Sequence, residues 1–130
     1  MMNYCILNGR AYDANVVELS ENFNILYTDN TKRTLSNGHM FLDPIGTFIG
    51  HSVVFAPMNN RADFDALWEF FKIPRREGFH VKLADGQSVI EYDAYTSNGA
   101  RKLSRIVDGV LLWDTLEVNI IPIDAQVLPT

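Results

Sequence analysis

The sequence predicts a mainly β (α+β) domain, an antiparallel β-sandwich or partly closed barrel with one α-helix at about residues 61-72. Three observations predict it. Apolar residues alternate with polar ones in segment after segment, Asn-Gly and Asp-Gly pairs punctuate those segments, and a helical period occurs only in the middle of the chain.

The chain opens on "CILNGRAY", where Asn8-Gly9 sits between apolar pairs. Both residues accept the positive φ of a type I′ turn, so a first hairpin is expected. Next, Val17, Leu19, Phe23, Ile25 and Tyr27 share one face of a half-buried strand, with Glu18, Ser20, Asn22 and Asn24 on the other. Glu21 breaks the apolar face and marks a bulge or strand break there. "HSVVFAPM" then reads as a strand that Pro57 stops or confines to an edge. In "NRADFDALWEFFKIP" the period changes: Phe64, Leu67, Trp68 and Phe71 fall at i, i+3, i+4 and i+7. Asn60 is placed to cap this helix, Asp63 lies in its first turn and Pro74 ends it. Strands resume with Phe79, Val81 and Leu83, then with Ile90, Tyr92 and Ala94, joined through Asp85-Gly86. Asn98-Gly99 and Asp108-Gly109 are further turn signals, and Leu116, Val118 and Ile120 alternate in the last strand. The expected core is Phe64, Leu67, Trp68, Phe71, Tyr92, Leu116 and Val118.

A chain of 130 residues fits one domain, which buries roughly two thirds of the surface its unfolded chain exposes. Its 47% hydrophobic and 21% charged residues are ordinary for a globular protein. A net charge of -5 argues against nucleic acid as the main partner, because that affinity comes from Lys and Arg displacing counterions. Cys5 is the single cysteine, so no intrachain disulfide is expected, and Tyr4, Ile6 and Leu7 around it suggest a buried strand position. The N-terminus lacks the pattern of a signal peptide, and no run approaches the ~18 apolar residues of a membrane helix. The expected place of synthesis is therefore the cytoplasm, with no membrane partner.

No motif points to catalysis. His39, His51 and His80 stand at no metal-binding spacing, and neither Ser36 nor Ser104 lies in a G-x-S-x-G context. The pairs Asp63 with Asp65 and Glu91 with Asp93 are explained by a helix's first turn and a strand's polar face. The glycines form no phosphate loop. The expectation is a protein that is not an enzyme and needs no cofactor or metal. Lys32-Arg33, Arg75-Arg76 and Arg101-Lys102 each adjoin a turn, as solvated loops or as contacts with acidic patches on a neighbouring copy.

Several segments in order resemble a family of small tail-region proteins of long-tailed bacteriophages and prophages of Gram-positive bacteria. They are "NFNILYTDNTKRTLSNGHMFLDPIGTFIG", "FDALWEFF" and "DAYTSNGARKLSRIVDGVLLWDTLEVNIIPIDAQ". The shared elements are Arg33-Thr34, Gly38, Asp43, Ile45-Gly46-Thr47, Phe64 to Trp68, Tyr95, Asn98-Gly99 and Trp113. The resemblance implies a non-enzymatic structural component of the virion tail or tail tip, built like tail-tube and distal-tail proteins. It would form a homo-oligomeric ring and touch other phage tail proteins.

The stretch from Thr31 to Thr47 is then the element expected to reach the next subunit, through Lys32, Arg33, Leu35, Met40, Phe41, Leu42 and Ile45. A local Ω-like loop, packed by its own Met40, Phe41, Leu42 and Ile45, is the other reading of the same residues. A functional alternative is a ligand-binding β-sandwich module, for carbohydrate or a host surface, that uses exposed aromatics such as Tyr95 or Trp113.

Overall fold

A computed structural model of the chain describes residues 5–12, 14–57 and 61–130. The strands in chain order are β1 (Ile6–Leu7), β2 (Arg10–Ala11), β3 (Ala14–Tyr27), β4 (Lys32–Arg33), β5 (Met40–Phe41) and β6 (Pro44–Pro57). The helix α1 (Arg61–Lys72) follows, and then β7 (Phe79–Asp85), β8 (Ser88–Tyr95), β9 (Gly99–Val107) and β10 (Val110–Pro122). Every pairing among the described residues is antiparallel. The order is β2-β1-β7-β8-β10-β6-β3, with β9 also on β10, while β4 and β5 form a separate small ladder.

This mainly β fold with one short helix is the class the sequence predicts. Strand β10 pairs with β9 and β6 along most of its length and with β8 only at Ile121 and Pro122. The strands thereby divide into two groups that meet at the end of β10 and face each other across the core. The ring of His51, on β6, stacks on Tyr92 of β8 at a centroid distance of 5.8 Å, although the two strands are not neighbours in the sheet. Val53, Leu116, Val118 and Ile120 from one group, and Leu7, Val81, Leu83 and Ala94 from the other, are almost fully buried. Each Val, Leu or Ile side chain among them contributes about 1.5–3 kcal/mol by leaving water.

Helix α1 closes the open side of this core. Phe64 and Leu67 are buried, while Trp68 and Phe71 are partly buried against the same cluster. Phe71 meets Phe55 and Phe79, and Phe70 meets Phe79 and Tyr12. Lys72 in the last turn and Asp63 in the first complement the helix dipole. The expected cap, Asn60, lies outside the described residues. Cys5 is buried, and that burial pushes its thiol up to about 12.

Two turns carry the backbone that their residues foretell. Asn8 and Gly9 have φ of 49° and 80°, and Asp108 and Gly109 have 50° and 78°, which is the positive pair of a type I′ hairpin. Asn98-Gly99, by contrast, is not a hairpin turn. It lies where the chain leaves β8 and continues as β9 along the same edge of β10. Asn119 holds this crossover: its side-chain oxygen accepts from the Ser97 and Asn98 N–H groups, and its amide donates to the Ser97 hydroxyl.

The reading of β3 requires correction. The strand starts at Ala14, and its register shifts between Val16 and Glu18, so the bulge falls at Val17 rather than at Glu21. The extra residue turns Val16 and Leu19 inward, where they pack on the core, and leaves Val17 half exposed. Phe23, Ile25 and Tyr27 do not reach the core at all. Strand β6 also begins earlier than expected, at Pro44, and absorbs the end of the turn-rich stretch.

Gly78 is the backbone position with the least latitude. Its φ is 71°, and a Cβ there would lie 2.2 Å from the Ala94 carbonyl oxygen. Gly86, with φ of 58°, has nothing near its missing Cβ. Gly78→Ala is expected to lower the urea-unfolding stability by about 2–4 kcal/mol and Gly86→Ala by only about 1 kcal/mol. Equal losses in the two variants would contradict the close approach at Gly78.

Candidate functional site: a projecting arm and its foot

Strands β3 and β6 pair along their whole length, from Ala14↔Pro57 to Tyr27↔Pro44. Strand β10 accompanies β6 only from His51 to Phe55. Beyond His51 the two strands leave the body as a ribbon, extending roughly 20 Å at ~3.4 Å per residue before the connecting tip. Every residue from Ser20 to Tyr27 is exposed, so both faces of the ribbon meet solvent. Phe23 is 68% exposed, and Ile25, Leu26 and Tyr27 are also open.

The tip is ordered by its own polar groups. The Thr28 N–H donates to the Asp43 carbonyl, and the Thr28 hydroxyl and the Asn30 amide donate to the Asp43 carboxylate. The Thr31 hydroxyl accepts from the Asp43 N–H. Further out, the Thr34 N–H donates to the His39 carbonyl, and Arg33 donates to the Gly38 carbonyl across the β4–β5 ladder. These bonds explain why Thr, Asn and Asp recur in "YTDNTKRT".

The residues expected to meet a neighbouring copy all lie on this tip or at the start of β6. Leu35 is fully exposed, Phe41, Leu42 and Ile45 are about half exposed, Lys32 and Arg33 are exposed, and Met40 is partly buried. Apolar side chains this open do not pack a local Ω-like loop.

The C-terminal segment clamps the β6 edge near the foot. The Gln126 side-chain amide both accepts from the Ile49 N–H and donates to the Ile49 carbonyl, as a paired strand would. The Thr47 and Val127 backbones exchange hydrogen bonds beside it. Gly46 permits this approach, since a Cβ there would stand 2.7 Å from the Ala125 Cβ.

At the foot, His51 is 1% exposed. Its Nε2 lies 3.1 Å from the Ala84 carbonyl, which can only accept, so Nε2 carries the proton. Nδ1 then accepts from the Tyr92 hydroxyl at 2.7 Å. Glu21, opposite His51 in the register, brings Oε2 to 3.4 Å from Nε2. Burial holds His51 below the ordinary histidine range, against the opposing pull of the Ala84 carbonyl and the Asp85 charge. Partial burial, reinforced by a hydrogen bond and charge from Asp85, holds Glu21 above the ordinary carboxylate range. This node ties β3, β6, β7 and β8 together where the ribbon enters the body. Only the shared face of His51, Val53 and Phe55 hints at it in the sequence.

The cationic pairs divide. Arg75 donates to the Phe70 and Ile73 carbonyls at the end of α1, and Arg101 donates to Asp65 while lying between the rings of Trp68, at 4.6 Å, and Trp113, at 4.2 Å. Both are therefore engaged within the chain and only partly exposed. This sandwich also occupies Trp113. Tyr95, in contrast, is exposed and lines a cleft of about 640 Å³ between the end of α1 and the β8–β9 crossover. His80, on an exposed strand face, lies between Asp93 and Glu91, and hydrogen bonds to these two carboxylates raise its pKa. Among the described residues no group of His, Cys, Asp and Glu is arranged to hold a metal ion, and no helix is long and apolar enough to cross a membrane.

No protein-family model matches the chain, and no curated protein matches it significantly.

Because burial lowers the pKa of His51, the unfolded chain takes up a proton first as pH falls below 6.5. Stability tied to the neutral ring is thus complete above that pH and declines below it. His51→Gln is expected to cost about 2–4 kcal/mol near neutral pH, through the unpaired Tyr92 hydroxyl and imperfect packing. The difference between the wild type and this variant, from urea midpoints, should narrow between about pH 6.5 and 5. A difference that stays constant over this range would contradict a buried neutral ring.

Proposed function

We propose that this protein is a non-enzymatic structural subunit of a bacteriophage or prophage tail or tail tip, acting by self-association and by contacts with other tail proteins. The observation that carries the self-association is the arm. A ribbon with Phe23, Ile25, Leu26 and Tyr27 open on its two faces, tipped by Leu35, Phe41 and Leu42, leaves unburied the kind of surface that a partner covers. The resemblance of "TKRTLSNGHMFLDPIGTFIG" and the segments after it to tail-region proteins supplies the tail assignment.

The free edges of the sheet support the same reading. Among the described residues strand β3 has no neighbour beyond β6, and β9 has none beyond β10. An unpaired edge as long as β3 is a template for another strand. Two-fold pairing of β3 with itself would bring the Glu18 and Glu21 carboxylates of both copies together, which disfavours a simple edge dimer.

The test is to shorten the arm without touching its foot. Thr28 and Asp43 are already bonded across the ribbon, so replacing residues 29–42 by a two-residue Asn-Gly turn preserves the strand register. The expected outcome is a variant with unchanged circular dichroism that sediments as a monomer at concentrations where the wild type sediments as a closed multiple. A shortened variant that assembles like the wild type would overturn the role of the tip.

The exposed Tyr95 favours one further reading, a carbohydrate-binding module. That reading requires glycan titration to change tryptophan fluorescence, because Trp68 lines the same cleft. The structural reading expects no change.

A further inference from the structure

The molecule has a second projection. Residues Val110 to Thr115 of β10 pair with β9 alone, because the pairing with β6 starts only at Leu116. The β9–β10 hairpin therefore extends beyond the Pro57 end of β6, with Leu111, Leu112 and Trp113 beside Arg61, Phe64 and Asp65 of α1, whereas the arm leaves from the Pro44 end. Its tip is held by the positive φ of Asp108 and Gly109. Ile106 is 61% exposed, and Val107, Val110 and Leu111 are also open. From Ile106 to Trp113 the only charged residue is Asp108. The tip is thus an apolar knob with one carboxylate at its apex.

The cleft beside Tyr95 has the opposite character. Phe71, Phe79, Val118 and Ile123 give it an apolar lining, and Lys72, Arg75 and Arg76 also line it, with no carboxylate among the lining residues. That is an unusual concentration of positive charge in a protein of net charge -5. Lys72 is paired with Glu69, and Arg75 caps α1, which leaves Arg76, exposed and without an ion pair among the described residues, as the available cation. The crossover that forms one wall is fixed by Asn119, so the cleft is pre-formed rather than induced.

We propose that the β9–β10 hairpin tip of one copy seats in this cleft of a second copy, with Ile106, Val107 and Val110 on the apolar lining and Asp108 facing Arg76. The inference rests on the self-association reading above and names a contact for it. A copy cannot fill its own cleft: Val118 lies eight residues after Val110, roughly 27 Å along β10. The arm tip is a poorer occupant, because it presents Lys32 and Arg33 beside its exposed Asp29, and its Asp43 is engaged with Thr28 and Asn30. Knob and cleft are different surfaces on one chain, so the contact either is exchanged reciprocally in a two-fold dimer or, repeated head-to-tail, leads to a ring or an open fibre.

Disulfide trapping tests the contact. In a Cys5→Ala background, Val107→Cys is placed on the knob and Glu77→Cys, on an exposed residue beside Arg76, at the cleft. A mixture of the two single-cysteine proteins is expected to form covalent dimers faster than either protein alone, and Arg76→Glu in the cleft partner should slow this by about tenfold. Equal rates for the mixture and the separate proteins, in samples where sedimentation shows the oligomer, would overturn the knob-in-cleft contact while leaving self-association intact. A wild type that sediments as a monomer throughout a concentration series would overturn both. Unchanged thermal melts of the cysteine variants establish that each is folded.

Discussion

The pairing of β10 is the constraint on which the rest of the architecture depends. One strand of 13 residues serves β9 and β6 on its two edges and then reaches β8 with its last two residues. For β8 and β9 to follow one another on the same edge, the chain between them must bend out of one group of strands and into the other. The bend at Thr96 to Asn98 has few backbone partners of its own, and Asn119 and its carbonyl, projecting from β10, supply them. Gly99 permits close packing immediately afterwards, since a Cβ there would meet Val118 at 3.0 Å. The two faces of the core can then close over Val53, Leu116, Val118 and Ile120, and α1 seals the side that remains.

The same arrangement explains why apolar residues on the arm stay exposed. Strand β6 is continuous through body and arm, but β10 stops accompanying it at His51. Up to that point the residues of β6 alternate between core and surface, and past it, among the described residues, β6 meets only the C-terminal segment while the β3 side of the ribbon stays exposed. The ribbon keeps its shape through backbone pairing, the Asp43 network at its tip and the Gln126 clamp near its foot. His51 stands at the boundary, and its two ring nitrogens reach β7 and β8 from β6. A buried polar residue at this place fixes the direction in which the ribbon departs, because both of its bonds are satisfied in only one arrangement of the two sheets.

Much of the body was legible in the sequence because its signals are local. Asn8-Gly9 and Asp108-Gly109 make tight turns without help from tertiary contacts, and Phe64, Leu67, Trp68 and Phe71 mark one helix face whatever lies beneath it. The alternation of Phe79, Val81 and Leu83 reports a buried face for the same reason. Strand β3 misled because alternation says which residues share a face but not whether anything covers that face. The bulge at Val17 also moved the inward register by one residue, and no turn residue announced it. Asn98-Gly99 has the composition of a hairpin turn, yet distant Asn119 decides its geometry. The Arg101 sandwich was invisible for a similar reason, since Trp68 and Trp113 are separated by 45 positions and meet only after α1 docks.

The polarity of the molecule bears directly on how copies of it could join. Its two projections leave opposite ends of the same group of strands and differ in charge: the arm tip presents Lys32 and Arg33 together with Asp29, the β9–β10 tip only Asp108. The free edges differ in the opposite sense, with Glu18 and Glu21 on β3 and Lys102 and Arg105 on β9. A two-fold contact that sets one of these features against itself opposes like charges, whereas a contact between different features, head-to-tail or exchanged across a two-fold, can oppose unlike ones. Strands β3 and β9 also run in opposite senses, because β10 and β6 lie between them and every step is antiparallel. A rotation about an axis along the strands would therefore bring the β3 edge of one copy antiparallel to the β9 edge of the next. Whether such a series closes depends on the rotation per step, and projections at opposite ends set that angle more firmly than a single flat edge would, by adding contacts away from the axis.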